Sequence, residues 1–324
     1  MSCVFDETHY RVFVTRPTVP SRGTIIYYQL VGPRDPDTGF APKRAPSDKN
    51  FITSAGYTAV MVQPARQDWF QHESFDAALD AIRRIPDLPR PWLSYGTSMG
   101  GYGAIVGAAA LEADFFLSGS PQASINDAYM RKIKDGRWRP GRAFYRVDPI
   151  RNGACAGTKG VVLCDPLHAA DQKHALTILR NTDSQQINCP GTAHFGIVRM
   201  MRDVGFENFT EQLFDVMAGK ETLAAFVNRA RQTFDASIPG AFFKADPATQ
   251  QDMVATLGAD AILQSTHISA LADHLNRMPS VEYAKLLVGL LPHVAKGGAS
   301  NYVKRVIGEA DMDYLLETSE AGAA

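Results

Sequence analysis

The pattern of apolar and polar positions changes along the chain and separates its first two thirds from the remainder. Short β-branched and aromatic runs predict strands in the first part. These predicted strands are Tyr10–Thr15, Thr24–Leu30, Tyr57–Gln63, Trp92–Tyr95, Phe115–Leu117, Gly160–Cys164 and Gln186–Cys189. Apolar residues at helical spacing predict helices at Phe75–Ile85, at Met99–Glu112 and from about Ile197 to Val204. Strands separated by helices indicate an α/β fold, with a parallel sheet covered on both faces.

The remainder, from Lys220 to Thr318, has helical patterns and no predicted strand. Apolar residues recur at helical spacing in Ile268–Leu275 and in Leu286–Leu291, and Pro279 and Pro292 interrupt the run. We therefore divide the chain into residues 1–219 and a C-terminal helical region, residues 220–324. Apolar stripes of this kind must be buried on each other, on the first part or on another chain.

Composition and charge restrict the class of protein. The 324 residues are 45% hydrophobic, and 33 Lys and Arg balance 34 Asp and Glu. This composition excludes disorder as the main state and excludes a strongly basic nucleic-acid surface. The opening MSCVFDETHYR lacks the features of a signal peptide, no apolar stretch reaches 18 residues, and the four cysteines form no C-x-x-C pair. We expect a cytoplasmic protein with no membrane span and no nucleic-acid partner.

The most informative motif lies between a predicted strand and a predicted helix. Gly96-Thr97-Ser98-Met99-Gly100 has the pattern G-x-S-x-G. A serine on such a tight turn lies at the carboxyl edge of the sheet, and the glycines avoid a collision of Cβ with neighbouring backbone. The start of the following helix presents N–H donors beside the hydroxyl, where an oxyanion would form.

Candidate partners follow in chain order. The loop after Gly160–Cys164 holds Asp165 and Asp171, and the loop after the last predicted strand holds His194. The order Ser, Asp, His is the one expected when three loops meet at the same edge of a parallel sheet.

With these motifs the chain resembles the α/β-hydrolase superfamily of serine esterases, lipases and thioesterases over about residues 10–215. The phrases YGTSMGGYGA and LSGSPQASI are similar to a group of bacterial hydrolases of poorly defined substrate. The resemblance implies a mostly parallel sheet with helices on both faces in a catalytic domain, residues 1–219. It does not cover the C-terminal all-helical extension, which the apolar pattern alone predicts. It also implies Ser98 as nucleophile and His194 as general base. It favours Asp171 as the acid, with Asp165 as the alternative.

The oxyanion hole follows from the same resemblance. The backbone N–H of Met99 would be one donor, and the second would come from the loop after Thr24–Leu30, around Gln29 and Leu30. The chain departs from the superfamily there, because Gln29-Leu30-Val31-Gly32 stands in place of the usual His-Gly.

Other interpretations of these residues are weaker. Ser98 could cap a helix in a phosphate-binding turn, but no lysine follows to meet a phosphate. Asp165, His168, Asp171 and His174 have a metal-like spacing, but on one helix the first and last would lie on opposite faces. We therefore expect no metal and no cofactor, and we interpret the two histidines as solvated or packing residues.

Two further sets of residues bear on the substrate. Trp69 and Phe70 follow a predicted strand and would form either an exposed substrate-binding wall or simple packing. A basic cluster lies between Ser120 and Gly160. We interpret it as a solvated surface in preference to a binding site for an anionic substrate. It consists of Arg131, Lys132, Lys134, Arg137, Arg139, Arg142 and Arg146.

The sequence therefore predicts a serine hydrolase that cleaves a small-molecule ester or thioester, or another acyl substrate, through an acyl-enzyme. The alternatives are an acyltransferase with the same triad, and a catalytically silent scaffold whose helical tail binds a protein partner. The tail would modulate access or assembly, through a homo-oligomer or a partner. A chain ending near Gly219 is accordingly expected to keep its reactive serine but to change its oligomeric state or solubility.

Overall fold

The computed structural model describes residues 1–30, 40, 51–137, 139–194, 205–258 and 261–262. Its described strands form one sheet of eight, in the order β1-β2-β4-β3-β5-β6-β7-β8. The strands are β1 (Ser2–Asp6), β2 (Tyr10–Thr15), β3 (Thr24–Tyr28), β4 (Thr58–Pro64), β5 (Trp92–Thr97), β6 (Phe115–Gly119), β7 (Lys159–Cys164) and β8 (Asp183–Asn188). β2 is antiparallel to β1 and to β4, and every other pair is parallel. The predicted mostly parallel α/β sheet is confirmed.

The helices cover both faces of this sheet. They are α1 (Phe51–Ser54), α2 (Ser74–Arg83), α3 (Met99–Leu111), α4 (Asp127–Ile133), α5 (Ala169–Asn181), α6 (Phe206–Met217), α7 (Leu223–Ala236), α8 (Ile238–Lys244) and α9 (Pro247–Leu257). A 3₁₀ helix spans Arg139–Phe144. The helix predicted from about Ile197 to Val204 lies outside the described residues.

Strand predictions succeed where β-branched and aromatic residues dominate a short segment. Tyr10–Thr15 is predicted with its observed bounds, whereas β8 begins at Asp183, three residues before the predicted start. The prediction missed β1, because this edge strand is exposed along most of its length and has no apolar run that marks it.

Helix α3 packs very closely on the centre of the sheet because its residues are small. A Cβ on Gly100 would lie 2.2 Å from the backbone oxygen of Tyr28. The buried hydroxyls of Ser94 and Ser118 donate hydrogen bonds to the carbonyls of Ala104 and Gly101, at 2.7 and 2.9 Å. These contacts leave little freedom to the turn that precedes the helix.

The opposite face is covered in part by the predicted helical region. Phe226 and Phe234 of α7 are fully buried and belong to the same apolar cluster as Ile25 and Leu93 of the central strands. Between residues 220 and 258 the chain forms helices and no strand, as predicted. The stripes at Ile268–Leu275 and Leu286–Leu291 lie outside the described residues, and the division at Gly219 stays a prediction. None of the described helices has the length and apolar character needed to span a bilayer.

Candidate active site

Ser98 lies on the sharp turn between β5 and α3. Its backbone has φ 57° and ψ −123°, an unusual conformation for a residue other than glycine. A Cβ on Gly96 would lie 2.1 Å from the carbonyl oxygen of Gly100, so both glycines are needed where the strand reverses into the helix. The Ser98 N–H donates to the carbonyl of Gly119 at 2.8 Å, which holds the turn against the end of β6. Strain at such a turn is typical of a functional position.

His194 is held by a short loop after β8. Gly191 and Ala193 both have positive φ angles, 77° and 47°. The Ala193 N–H donates to Asp165 Oδ2 at 2.8 Å. A Cβ on Gly191 would lie 2.2 Å from the ring of Phe243 in α8, so the predicted tail region contacts this loop.

A continuous chain of hydrogen bonds joins the three candidate residues. Ser98 Oγ lies 2.8 Å from His194 Nε2, and His194 Nδ1 lies 2.9 Å from Asp171 Oδ2. Ser98 is half-buried, His194 is 4% exposed and Asp171 is fully buried. The imidazole can therefore accept the serine proton on one nitrogen while its other N–H donates to the carboxylate.

The two candidate acids have different surroundings. Asp171 lies in the first turn of α5, and His168 caps that helix by accepting from the Asp171 N–H at 3.3 Å. Burial would raise the pKa of Asp171, but hydrogen bonds with His168 and His194 and the charge of Arg137 hold it well below its ordinary value. Asp171 therefore stays ionised beside His194.

Asp165 binds backbone instead. Its Oδ1 accepts from the Leu167 N–H at 2.9 Å, and its Oδ2 accepts from the Ala193 N–H. Burial raises the pKa of Asp165. The carboxylate thus fastens the histidine loop to the end of β7, which the sequence interpretation of Asp165 as the alternative acid did not anticipate.

Arg137 is a site residue that sequence reasoning placed on a solvated face. Its side chain is only 26% exposed, and its Nη2 donates to Asp171 Oδ1 at 2.6 Å. Its Nε and Nη2 also bind Asp135, at 2.9 and 2.5 Å, and its Nη1 contacts His194 Nδ1. Residue spacing alone could not distinguish it from its basic neighbours, two of which, Arg131 and Arg142, form exposed ion pairs with Asp127.

The predicted oxyanion donors have different outcomes. Met99 begins α3 directly after Ser98, the position from which its N–H would donate to an oxyanion formed at the acyl carbon, and this role stays a prediction. The Gln29 N–H donates to the carbonyl of Val62 at 3.0 Å, so the expectation that it supplies the second donor is wrong. The role of the Leu30 N–H as a donor stays a prediction.

The predicted aromatic wall is not exposed. Trp69 is 2% exposed and Phe70 is 3% exposed, and both belong to the apolar core. Trp69 Nε1 donates to Gln122 Oε1 at 3.1 Å, and a Cβ on Gly141 would lie 2.4 Å from the indole ring. The expectation of a substrate-binding wall is therefore corrected, since both side chains pack inward.

The histidines with metal-like spacing also have other partners. His174 is fully buried, accepts from the Ala123 N–H at 2.9 Å and lies 3.0 Å from Asp135 Oδ2. Burial lowers the pKa of His174. Within the described ranges, no group of three or more His, Cys, Asp or Glu side chains could hold a metal ion.

Comparison with known proteins finds similarity to solved structures only. No family model and no curated protein matches the chain. The capsule O-acetyltransferase of Neisseria meningitidis serogroup A is 16% identical, with 65% of this chain and 93% of that chain covered and a TM-score of 0.44. Acetyl xylan esterase 1 from Thermoanaerobacterium sp. JW/SL YS485 is 12% identical, with 64% and 79% covered and a TM-score of 0.46. Est1E from Butyrivibrio proteoclasticus is 13% identical, with 65% and 98% covered and a TM-score of 0.45.

Likenesses of this degree carry no argument about the reaction or the substrate. The fold follows from the molecule itself, from its eight-stranded mostly parallel sheet and from the strand–serine–helix turn at the carboxyl edge of that sheet. The chain has the α/β-hydrolase fold.

Proposed function

We propose that the protein is a serine hydrolase that cleaves esters or thioesters through an acyl-enzyme. The observation that carries the proposal is the unbroken chain of hydrogen bonds from Ser98 through His194 to Asp171, with the serine on a strained turn before a helix. A hydroxyl, an imidazole and a carboxylate in this sequence are the groups that nucleophilic acyl transfer requires.

The first half of the reaction forms the acyl-enzyme. His194 Nε2 takes the proton of Ser98 as Oγ bonds to the substrate carbonyl carbon, and the Met99 N–H stabilises the resulting oxyanion. Asp171 stabilises the imidazolium and holds its Nδ1–H in place. The intermediate collapses when the C–O or C–S bond of the substrate breaks, and His194 returns the proton to the departing alcohol or thiol.

The second half releases the acid. Water gives its proton to His194 as it attacks the acyl carbon, the Ser98 ester bond breaks, and the proton returns to Ser98 Oγ. If an alcohol replaces water in this step, the same residues carry out acyl transfer. No described contact favours an acceptor alcohol over water, so hydrolysis is the function proposed.

The test uses a fluorophosphonate probe, which requires no knowledge of the substrate. The protein is labelled, digested and mapped by mass spectrometry, and Ser98 is expected to carry the label. Ser98→Ala should abolish labelling without loss of helical signal in circular dichroism, because only one half-buried hydroxyl is removed. Ser120→Ala is a matched control, since Ser120 follows β6 at the same sheet edge and is fully buried.

Two outcomes contradict the proposal. One is undiminished labelling of Ser98→Ala, and the other is a folded wild-type protein that neither reacts with the probe nor hydrolyses any p-nitrophenyl ester or acyl thioester. With an active protein, the products formed in the presence of excess alcohol distinguish hydrolysis from acyl transfer.

A further inference from the structure

Arg137 lies between two buried carboxylates at the back of the proposed triad. Nη2 donates to Asp171 Oδ1 at 2.6 Å, whereas His194 Nδ1 contacts the other carboxylate oxygen, Oδ2. Nε and Nη2 together bind both oxygens of Asp135, whose side chain is 2% exposed. This fork fixes the guanidinium against Asp135, so the single Nη2–H bond to Asp171 comes from a group that is held in a defined plane.

We propose that Arg137 is a positioning residue for the reaction, which holds the Asp171 carboxylate in the orientation that receives His194 Nδ1. The inference rests on the proposed function, because it assigns a role only if Asp171 and His194 act on Ser98. Asp135 and Arg137 both lie in the segment between β6 and β7, whereas Asp171 lies on α5. The arginine therefore links the alignment of the triad to a segment that supplies no member of it.

Charge balance gives the arginine a second effect on the same step. Asp135, Arg137 and Asp171 carry charges of −1, +1 and −1, so the group is negative while His194 is neutral. When His194 takes the proton from Ser98, its positive charge makes the sum zero. Arg137 Nη1 contacts His194 Nδ1, so the guanidinium opposes that positive charge locally while it aligns the carboxylate that stabilises it.

Other titratable groups face this cluster and must be included in any pH argument. His168 Nδ1 lies 3.3 Å from Asp171 Oδ2, and His174 Nε2 lies 3.0 Å from Asp135 Oδ2. The carboxyl group of Asp165 and the thiol of Cys164 interact with the same region of α5 and its preceding loop. The pKa values of Asp135, Asp171 and His174 themselves depend on Arg137, so a shift between variants reports the guanidinium together with the groups whose charge it influences.

The same contacts argue against Arg137 as an anchor for an anionic substrate. Each of its three guanidinium nitrogens already contacts Asp135, Asp171 or His194. An incoming anion would have to displace a buried carboxylate. The free energy lost by leaving that carboxylate unpaired exceeds the free energy gained from a new contact with the anion.

The experiment measures the second-order rate of fluorophosphonate labelling from about pH 5 to about pH 9. Arg137→Met has a side chain of similar length but removes both the positive charge and the forked N–H groups. Arg137→Lys keeps the positive charge and removes only the fork. Arg131→Met is the control, because Arg131 lies in the same segment, its side chain is 67% exposed, and it forms an ion pair with Asp127 outside the site. Circular dichroism establishes that each variant is folded.

Arg137→Met is expected to lower the plateau rate by about tenfold to a hundredfold, because the acid is misaligned. The wild-type rate should rise with pH along an acid limb, because only neutral His194 can accept the Ser98 proton. That limb should move to higher pH in Arg137→Met, because the positive charge beside His194 Nδ1 is removed. Arg137→Lys should lower the plateau and leave the midpoint of the limb near that of the wild type, and the control should match the wild type in both.

A wild-type plateau in either folded variant of Arg137 would overturn the proposal. A lower plateau with an unmoved midpoint in Arg137→Met would also overturn it, since a merely structural role predicts that result. If Arg137→Met does not fold, the plateau of Arg137→Lys decides. Absence of labelling in the wild type itself would instead refute the proposed function.

Discussion

Replacement of Asp171 by Asn tests the proposed acid against its neighbour Asp165. Asp171 Oδ2 lies 2.9 Å from His194 Nδ1 in a buried position. A carboxylate and an imidazolium whose charge centres are about 4 Å apart attract each other by about 4 kcal/mol at an effective dielectric constant of about 20. That energy corresponds to about three orders of magnitude in rate. The amide also favours the wrong tautomer of the imidazole, and in the serine protease example this exchange lowers kcat by about 10⁴.

We therefore expect Asp171→Asn to slow fluorophosphonate labelling of Ser98 by about 10³ to 10⁴. Asp165→Asn is the matched comparison, because it makes the same chemical change in the loop that leads into α5. Asn keeps one acceptor oxygen for either the Leu167 N–H or the Ala193 N–H. The expected result is a loss of about 1–3 kcal/mol in the free energy of unfolding, with a smaller effect on labelling.

The assay compares the two folded variants with the wild type at the same pH, and urea unfolding gives their stability. The reasoning is refuted if Asp171→Asn labels within about tenfold of the wild type. A larger effect of Asp165→Asn on labelling than of Asp171→Asn would transfer the role of acid to Asp165.

Two further predictions concern acid stability and the helical region. The pKa values of Asp171 and Asp135 are lowered in the folded protein, so both carboxylates contribute stability that is complete above about pH 4 and is lost as the pH falls through their folded values. The free energy of unfolding in urea should therefore drop steeply below pH 4, and Asp135→Asn should flatten that drop; an unchanged slope in this variant contradicts the assignment. A chain ending at Gly219 lacks the buried Phe226 and the Phe243 contact with the histidine loop, so we expect it to aggregate or to lose labelling. Only a loss of labelling would contradict the expectation from the sequence, which is that the truncated chain keeps its reactive serine and changes its oligomeric state or solubility. A soluble, folded truncation that labels at the wild-type rate would show that these helices are dispensable to the site.

The sequence by itself determined the features that depend on neighbouring residues. Continuous apolar runs predict the buried strands, since strands covered on both faces have no polar alternation. The turn at Ser98 is likewise local, because the collisions that require Gly96 involve backbone only four residues away. The order of Ser98, Asp171 and His194 along the chain follows from the same succession of strands and loops.

Tertiary structure decided every question that depends on which loops meet. Asp165 and Asp171 are six positions apart in similar surroundings of sequence, and only the fold directs one carboxylate to backbone N–H groups and the other to His194. The residues around Trp69 in the sequence do not show whether its side chain lines a pocket or lies in the core. Its burial depends on Gly141, which is distant in sequence and packs against the indole ring.

Arg137 shows the physical reason most clearly. Its sequence neighbourhood is basic and typical of a solvated face, but two buried carboxylates stabilise its guanidinium inside the molecule. One of them, Asp171, lies 34 positions away. The energy of a buried charge is determined by the groups packed around it, and periodicity or composition cannot specify those groups before the chain has folded.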